Sequence, residues 1–112
     1  MNKTASEAAA FIRDLRERVP ASPHADVVLA PPFTALESAR NALGPSSWIG
    51  LGAQNIHWET HGAFTGEVSA PMLRELGCRY VIIGHSERRT FFGEQDETIQ
   101  KKVQAADRKS VV

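Results

Sequence analysis

Cysteine is nearly absent from this chain. Its 112 residues hold one, Cys78. That excludes an internal disulfide and fits a reducing compartment. Placed between a helix-ending Gly77 and an apolar run, Cys78 reads as a small buried hydrophobe rather than a reactive thiol. No apolar run approaches the ~18 residues of a membrane span. Met1 to Glu7 lacks the apolar core of a secretory signal. Neither sign of charge dominates: 13 basic and 13 acidic side chains cancel, so no global field steers the chain to nucleic acid or membrane. One cysteine and four scattered histidines offer no metal-ligand spacing. There is no Gly-rich phosphate loop. No linker or low-complexity tract divides the chain, so residues 1–112 read as one domain unit.

What is present alternates between two periodicities. Thr4-Ala5-Ser6-Glu7 is a capping box, and Ala8, Phe11, Ile12, Leu15 and Val19 follow on one helical face. Pro20 stops that helix, and Pro23-His24 falls in the next loop. Val27 to Ala30 reads as a short buried strand ended by Pro31-Pro32. Thr34 to Glu37 forms a second capping box, Leu36, Ala39 and Leu43 give a stripe, and Gly44 is a C-cap. Trp48 to Ala53 reads as a strand whose glycines suit a crowded barrel interior. From Gln54 to Ser69 no periodicity persists, as in functional loops. Ser69 can cap a helix with Pro71 in its first turn and Met72, Leu73 and Leu76 on its apolar face. Tyr80 to Ile83 is a third strand. Asp96 opens a last helix with Ile99, Val103 and Ala106 on one side. A helix followed by three strand–helix units implies a parallel sheet with right-handed crossovers.

The densest chemistry follows the third strand. Tyr80-Val81-Ile82-Ile83 stops at Gly84, and His85-Ser86-Glu87-Arg88-Arg89 comes next without a spacer. A buried parallel strand delivers polar groups at its C-terminal end in this way. Upstream lie Gly52-Ala53-Gln54-Asn55 and Gly62-Ala63-Phe64-Thr65-Gly66-Glu67-Val68-Ser69; downstream lies Phe92-Gly93-Glu94. These pieces, in this order and spacing, resemble the triosephosphate isomerase family, and the resemblance runs from Met1-Asn2 to about Ala106.

The resemblance implies an α/β fold, a partial (β/α)8 barrel covering helix 1 and strand 2 to helix 4. A complete barrel needs about 250 residues, so the chain is expected to be an internal portion of the enzyme, under half of it. The family's substrate lysine would stand just before Met1. Its catalytic glutamate, lid and phosphate loops would lie beyond Val112. The closing Asp107-Arg108-Lys109-Ser110-Val111-Val112 departs from the Gly-containing approach to a fifth strand.

The implied activity is a cofactor-free interconversion of dihydroxyacetone phosphate and glyceraldehyde 3-phosphate, in the cytoplasm, by a homodimer that binds neither nucleic acid nor membrane. His85 corresponds to the neutral electrophilic histidine established for that family. Glu87 corresponds to the acid beside it, not to the general base. Ser86, Asn55 and Gln54 would support the site. Phe64, Thr65, Gly66 and Glu67 would form the dimer-interface loop, with Trp58 and Phe64 exposed in a monomer, and Arg88 and Arg89 would serve salt-bridging and interface roles. His57 and His61 read as solvated loop residues. A rival reading is a non-catalytic piece that acts, if at all, by binding through the interface loop. For an unclosed portion of the barrel, the strands' bare face and open edges favour self-association.

Overall fold

A computed structural model describes residues 1–22 and 24–108; Pro23 of the expected loop and the closing residues 109–112 lie outside them. The elements run α1 (Ala5–Arg18), β1 (Val28–Leu29), a 3₁₀ turn (Phe33–Ala35), α2 (Leu36–Leu43), β2 (Gly50–Ala53), α3 (Ala70–Glu75), β3 (Tyr80–Val81), α4 (Ser86–Phe91) and α5 (Asp96–Arg108). The sheet is three-stranded in the order β1-β2-β3. All pairing is parallel, with Val28 opposite Gly50 and Gly52 opposite Tyr80. This is the α/β alternation the sequence predicts, with strands shorter than the apolar runs that mark them. Among the described residues β1 and β3 each have a partner on one side only. Backbone bonding still continues past β3, where the Ile82 amide donates to Ala53 O at 2.8 Å.

The core lies between the sheet and its helices. Ile12, Leu36, Ala39, Leu43, Leu51, Ala53, Ile56 and Leu73 are all buried there. Leu29, Val81 and Ile83 pack against it from the strands. The alternate strand residues face the other way: Val28, Tyr80 and Ile82 remain about two-fifths exposed, at 38%, 41% and 41%. On that second face a Cβ at Gly50 would meet the Tyr80 ring at 2.8 Å, and one at Gly52 would meet Tyr80 and Val28 at 3.3 Å. The glycines of β2 thus clear room for a neighbouring aromatic, as expected of a crowded barrel interior. Arginines lace the helix layer. Arg16 donates to Ala42 O at 2.9 Å and Arg40 to Glu75 O at 3.0 Å, each satisfying a carbonyl at a helix end.

Local signals hold unevenly. At α1 the capping box is complete: the Glu7 amide donates to Thr4 Oγ1 (3.3 Å) and the Thr4 amide to Glu7 Oε2 (2.8 Å). The second box does not form. A 3₁₀ turn takes up Phe33–Ala35, Ala35 becomes the N-cap of α2, and no side chain caps it. Ser69 is the N-cap of α3, but its hydroxyl makes no cap bond. Gly44 and Gly77 adopt left-handed φ values of 77° and 83° after their helices, as helix stops do.

Three apolar stripes are narrower than their periodicity suggests. Phe11, Val19 and Met72 are exposed, while α1 buries Ala8 and Ile12 and α3 buries Ala70 and Leu73. In α5 the exposed residue is Val103, and Lys102 is buried in its place with Ala106.

Candidate functional site

The C-terminal ends of the strands converge on an open cavity of about 590 Å³ whose lining includes Gln54, Asn55, Ile82, His85, Glu87 and Arg88. Each side chain arrives there for a local reason. Gly84 takes a left-handed φ of 71° directly after the strand run, a turn that glycine makes without strain. His85 follows in extended geometry as the N-cap of α4. Its carbonyl accepts from the Arg88 and Arg89 amides at 2.9 and 3.2 Å.

The ring of His85 is oriented from its own helix. The Glu87 amide donates to His85 Nδ1 at 3.1 Å. A nitrogen that accepts carries no proton in the neutral ring, so the neutral proton sits on Nε2. The Glu87 carboxylate stands 3.9 Å from Nδ1, and both side chains are about half or more exposed. Ser86 opens α4 and is exposed; it is not among the residues lining the cavity.

Gln54 and Asn55 close β2 in different ways. Gln54 Nε2 donates to Ala30 O at 2.8 Å, tying the ends of β2 and β1 together. Asn55 is buried, and its Oδ1 accepts from Lys102 Nζ at 2.8 Å. Lys102 also stands 3.0 Å from Glu94 Oε1. Glu94 Oε2 in turn accepts from Arg88 Nε at 2.7 Å. The Lys102 and Glu94 side chains are only 7% and 4% exposed, so this is a buried charge network. Burial by itself pushes the Glu94 carboxyl up. The hydrogen bonds and charges of Lys102 and Arg88 outweigh it and hold Glu94 below the ordinary carboxylate value. Arg88 also stacks over the Phe92 ring at 5.0 Å, and Arg89 pairs with Asp96 at 2.7 Å. Both arginines therefore form the salt bridges expected of them.

Beyond Asn55 the loop to Ser69 runs apart from this cavity, which none of Phe64, Thr65, Gly66 or Glu67 lines. Its base is pinned where the His57 amide donates to Val68 O at 2.9 Å. Phe64, still 41% exposed, folds its ring to 4.5 Å from that of His57. A Cβ at Gly62 would meet the Phe64 ring at 2.9 Å, so this turn needs glycine for space as well as for its φ of 130°.

The expectation of a solvated His57 is therefore wrong. The residue is 6% exposed, between Trp58 and Phe64. His61 is exposed as expected, and Thr60 is its hydrogen-bond partner at 3.0 Å. Trp58 is half-buried rather than free, with Lys101 Nζ 5.3 Å over its ring. Cys78 is buried as expected, and desolvation pushes its thiol to about 11.

Sequence reasoning missed Lys102 and left Glu94 without a role. The one available signal is spacing: Ile99, Lys102 and Ala106 share a helical face as well as Ile99, Val103 and Ala106 do. A lysine at such a position reads as solvated until its carboxylate partner is known.

Proteins named triosephosphate isomerase are similar over nearly all of the chain. That of Alkaliphilus metalliredigens is 56% identical over 106 residues, covering 95% of this chain and 42% of the relative. That of Moorella thermoacetica is 53% identical over all of this chain and 44% of the relative. That of Acetivibrio thermocellus is 57% identical over 95% of this chain and 41% of the relative. The chain thus spans under half the length of these relatives. The profile described as triosephosphate isomerase matches residues 1–112, and with a parallel sheet that delivers a histidine at a strand end, the chain belongs to the triosephosphate isomerase family.

Proposed function

We propose that this chain supplies the electrophilic part of a triosephosphate isomerase site, for the cofactor-free interconversion of dihydroxyacetone phosphate and glyceraldehyde 3-phosphate. The observation that carries this reading is the bond from the Glu87 amide to His85 Nδ1, 3.1 Å long. It leaves the neutral ring with Nε2–H as a donor beside an open cavity. A donor there can polarise a substrate carbonyl and pass a proton between the two oxygens of an enediol. Glu87 is the acid beside the electrophile. Gln54 and Asn55 shape the site floor, and Ser86 supports the helix start.

The general base, the substrate lysine and the phosphate-binding loops belong to other parts of a complete barrel. Residues Phe64 to Glu67 and Arg88 would meet a second copy in a homodimer. The half-exposed Phe64 anchor supports that assignment, since aromatic anchors carry much of the energy of such interfaces. Among the described residues no helix is long and apolar enough to cross a membrane, and the proposed compartment is the cytoplasm.

Steady-state kinetics test the reading. Residues 1–112 by themselves should show no turnover above blank in a coupled assay, because His85 cannot alone hold the substrate. In a complete barrel containing them, His85→Ala should lower kcat by about 10²- to 10⁴-fold with a much smaller change in KM. A complete enzyme indifferent to His85→Ala would refute the electrophile assignment.

A further inference from the structure

Helix α4 carries His85 at its start, yet nothing apolar holds it in place. None of its residues Ser86 to Phe91 is buried. A helix of this length has no independent stability, so its position must be set by contacts outside itself. One exposed tie is Arg89 to Asp96, whose side chain is 90% exposed. The other tie is buried. It runs from Arg88 of α4 to Glu94, from Glu94 to Lys102 of α5, and from Lys102 to Asn55 at the end of β2. Its separations are 2.7, 3.0 and 2.8 Å.

A lysine and a glutamate removed from water carry a large desolvation penalty and are poor choices for stability alone. Such networks are best explained where they select one arrangement over its near neighbours. Here the selected arrangement is the placement of α4 against the floor of the cavity.

We infer that Lys102 and Glu94 are positioning residues, which through Arg88 and Asn55 hold α4 so that the Glu87 amide meets His85 Nδ1. The inference rests on the reading of His85 as electrophile for its relevance to catalysis, but its content is geometric. Without the network α4, too short to keep its own helical geometry, would fray from its first turn. The Glu87 amide would then leave Nδ1, and the neutral ring would no longer be confined to the tautomer protonated on Nε2.

The experiment is nitrogen NMR of the histidine side chains, with 15N-labelled histidine in a complete barrel containing residues 1–112, at about pH 8, where an unperturbed imidazole is neutral. His85→Gln identifies the signals. Unmodified protein should give two well-separated His85 nitrogen signals, those of a single tautomer with the proton on Nε2. In Lys102→Met and Glu94→Gln the two signals should converge, as expected of a mixture of tautomers. Lys101→Met, next in sequence but outside the network, should leave them apart.

Glu94→Gln strands the buried Lys102 ammonium, and Lys102→Met leaves Glu94 with Arg88 alone, so either change can unfold the region. The paired variant Glu94→Gln with Lys102→Met strands neither of these two, and it should still show convergence. Signals that stay as separate in the paired variant as in the unmodified protein would overturn the inference. The same holds for a mixed tautomer in the unmodified protein. Either result leaves the turnover test of His85→Ala untouched, and indifference of turnover to His85→Ala would leave the tautomer result standing.

Discussion

Glu94 is the residue whose environment differs most from what its type suggests. Its carboxylate is 4% exposed and lies between a guanidinium and an ammonium. Its folded pKa is depressed below the ordinary 4.5. The stability it contributes is therefore fully present above the unfolded value and is lost as pH falls through the lower folded value. Glu94→Gln cannot titrate and leaves the Lys102 ammonium without its counter-charge. At neutral pH the variant should be less stable by about 3 kcal/mol, the low end for breaking a buried pair. Protonation makes the unmodified side chain resemble glutamine, so this gap should narrow as pH drops below about 4.5. Denaturant melts at several pH values check both points. A gap that is constant with pH would show that Glu94 is not charged in the fold.

Among the elements, α1 and α2 carry the same apparent start signal with different outcomes. Thr4 makes the reciprocal bonds of a capping box. Thr34 makes none, because a 3₁₀ turn intervenes and the helix starts from Ala35. Thr4→Ala should therefore cost about 1 kcal/mol, the usual worth of a lost N-cap. Thr34→Ala, at an exposed position, should stay within about 0.5 kcal/mol. Thermal melts of the two variants distinguish them, and equal losses would contradict the cap assignment. Most of the element order was legible from periodicity and punctuation. The boundaries of β1 and β3 were not, because a strand ends where its partner does and neither apolar run contains that information. The orientation of α5 was equally hidden, since Val103 and Lys102 lie on adjacent lines of one helix surface.

The molecule as a whole has one covered and one bare side. Helices bury the sheet face of Leu29, Leu51 and Val81, while Val28, Tyr80 and Ile82 stand open with the β2 glycines beneath them. Parallel sheets are normally covered on both faces, and β1 and β3 each pair on one side only among the described residues. Residues 1–112 in isolation should consequently associate, with light-scattering mass rising with concentration. Tyr80→Lys together with Ile82→Lys should shift the material toward single chains by charging that face. A monodisperse monomer across the concentration range would show that the bare face is not sticky, and would favour the autonomous binding reading over the partial-barrel one.

From the sequence alone, the alternation of elements, the parallel sheet, the Gly84–His85 junction and the need for glycines in β2 could all be read. These depend on near neighbours: which face an i, i+3 or i+2 residue occupies, and where glycine permits a turn. The burial of His57 under Trp58 and Phe64 required the loop to close on itself at Val68. The pairing of Lys102 with Asn55 joined residues 47 positions apart, and the sharing of Glu94 between α4 and α5 depended on how the turn between those helices folds. A charge reads as solvated until a distant carboxylate or amide is brought to it, and only tertiary packing decides whether that happens. The strand-end histidine was therefore visible from sequence, while the buried network that holds its helix was not.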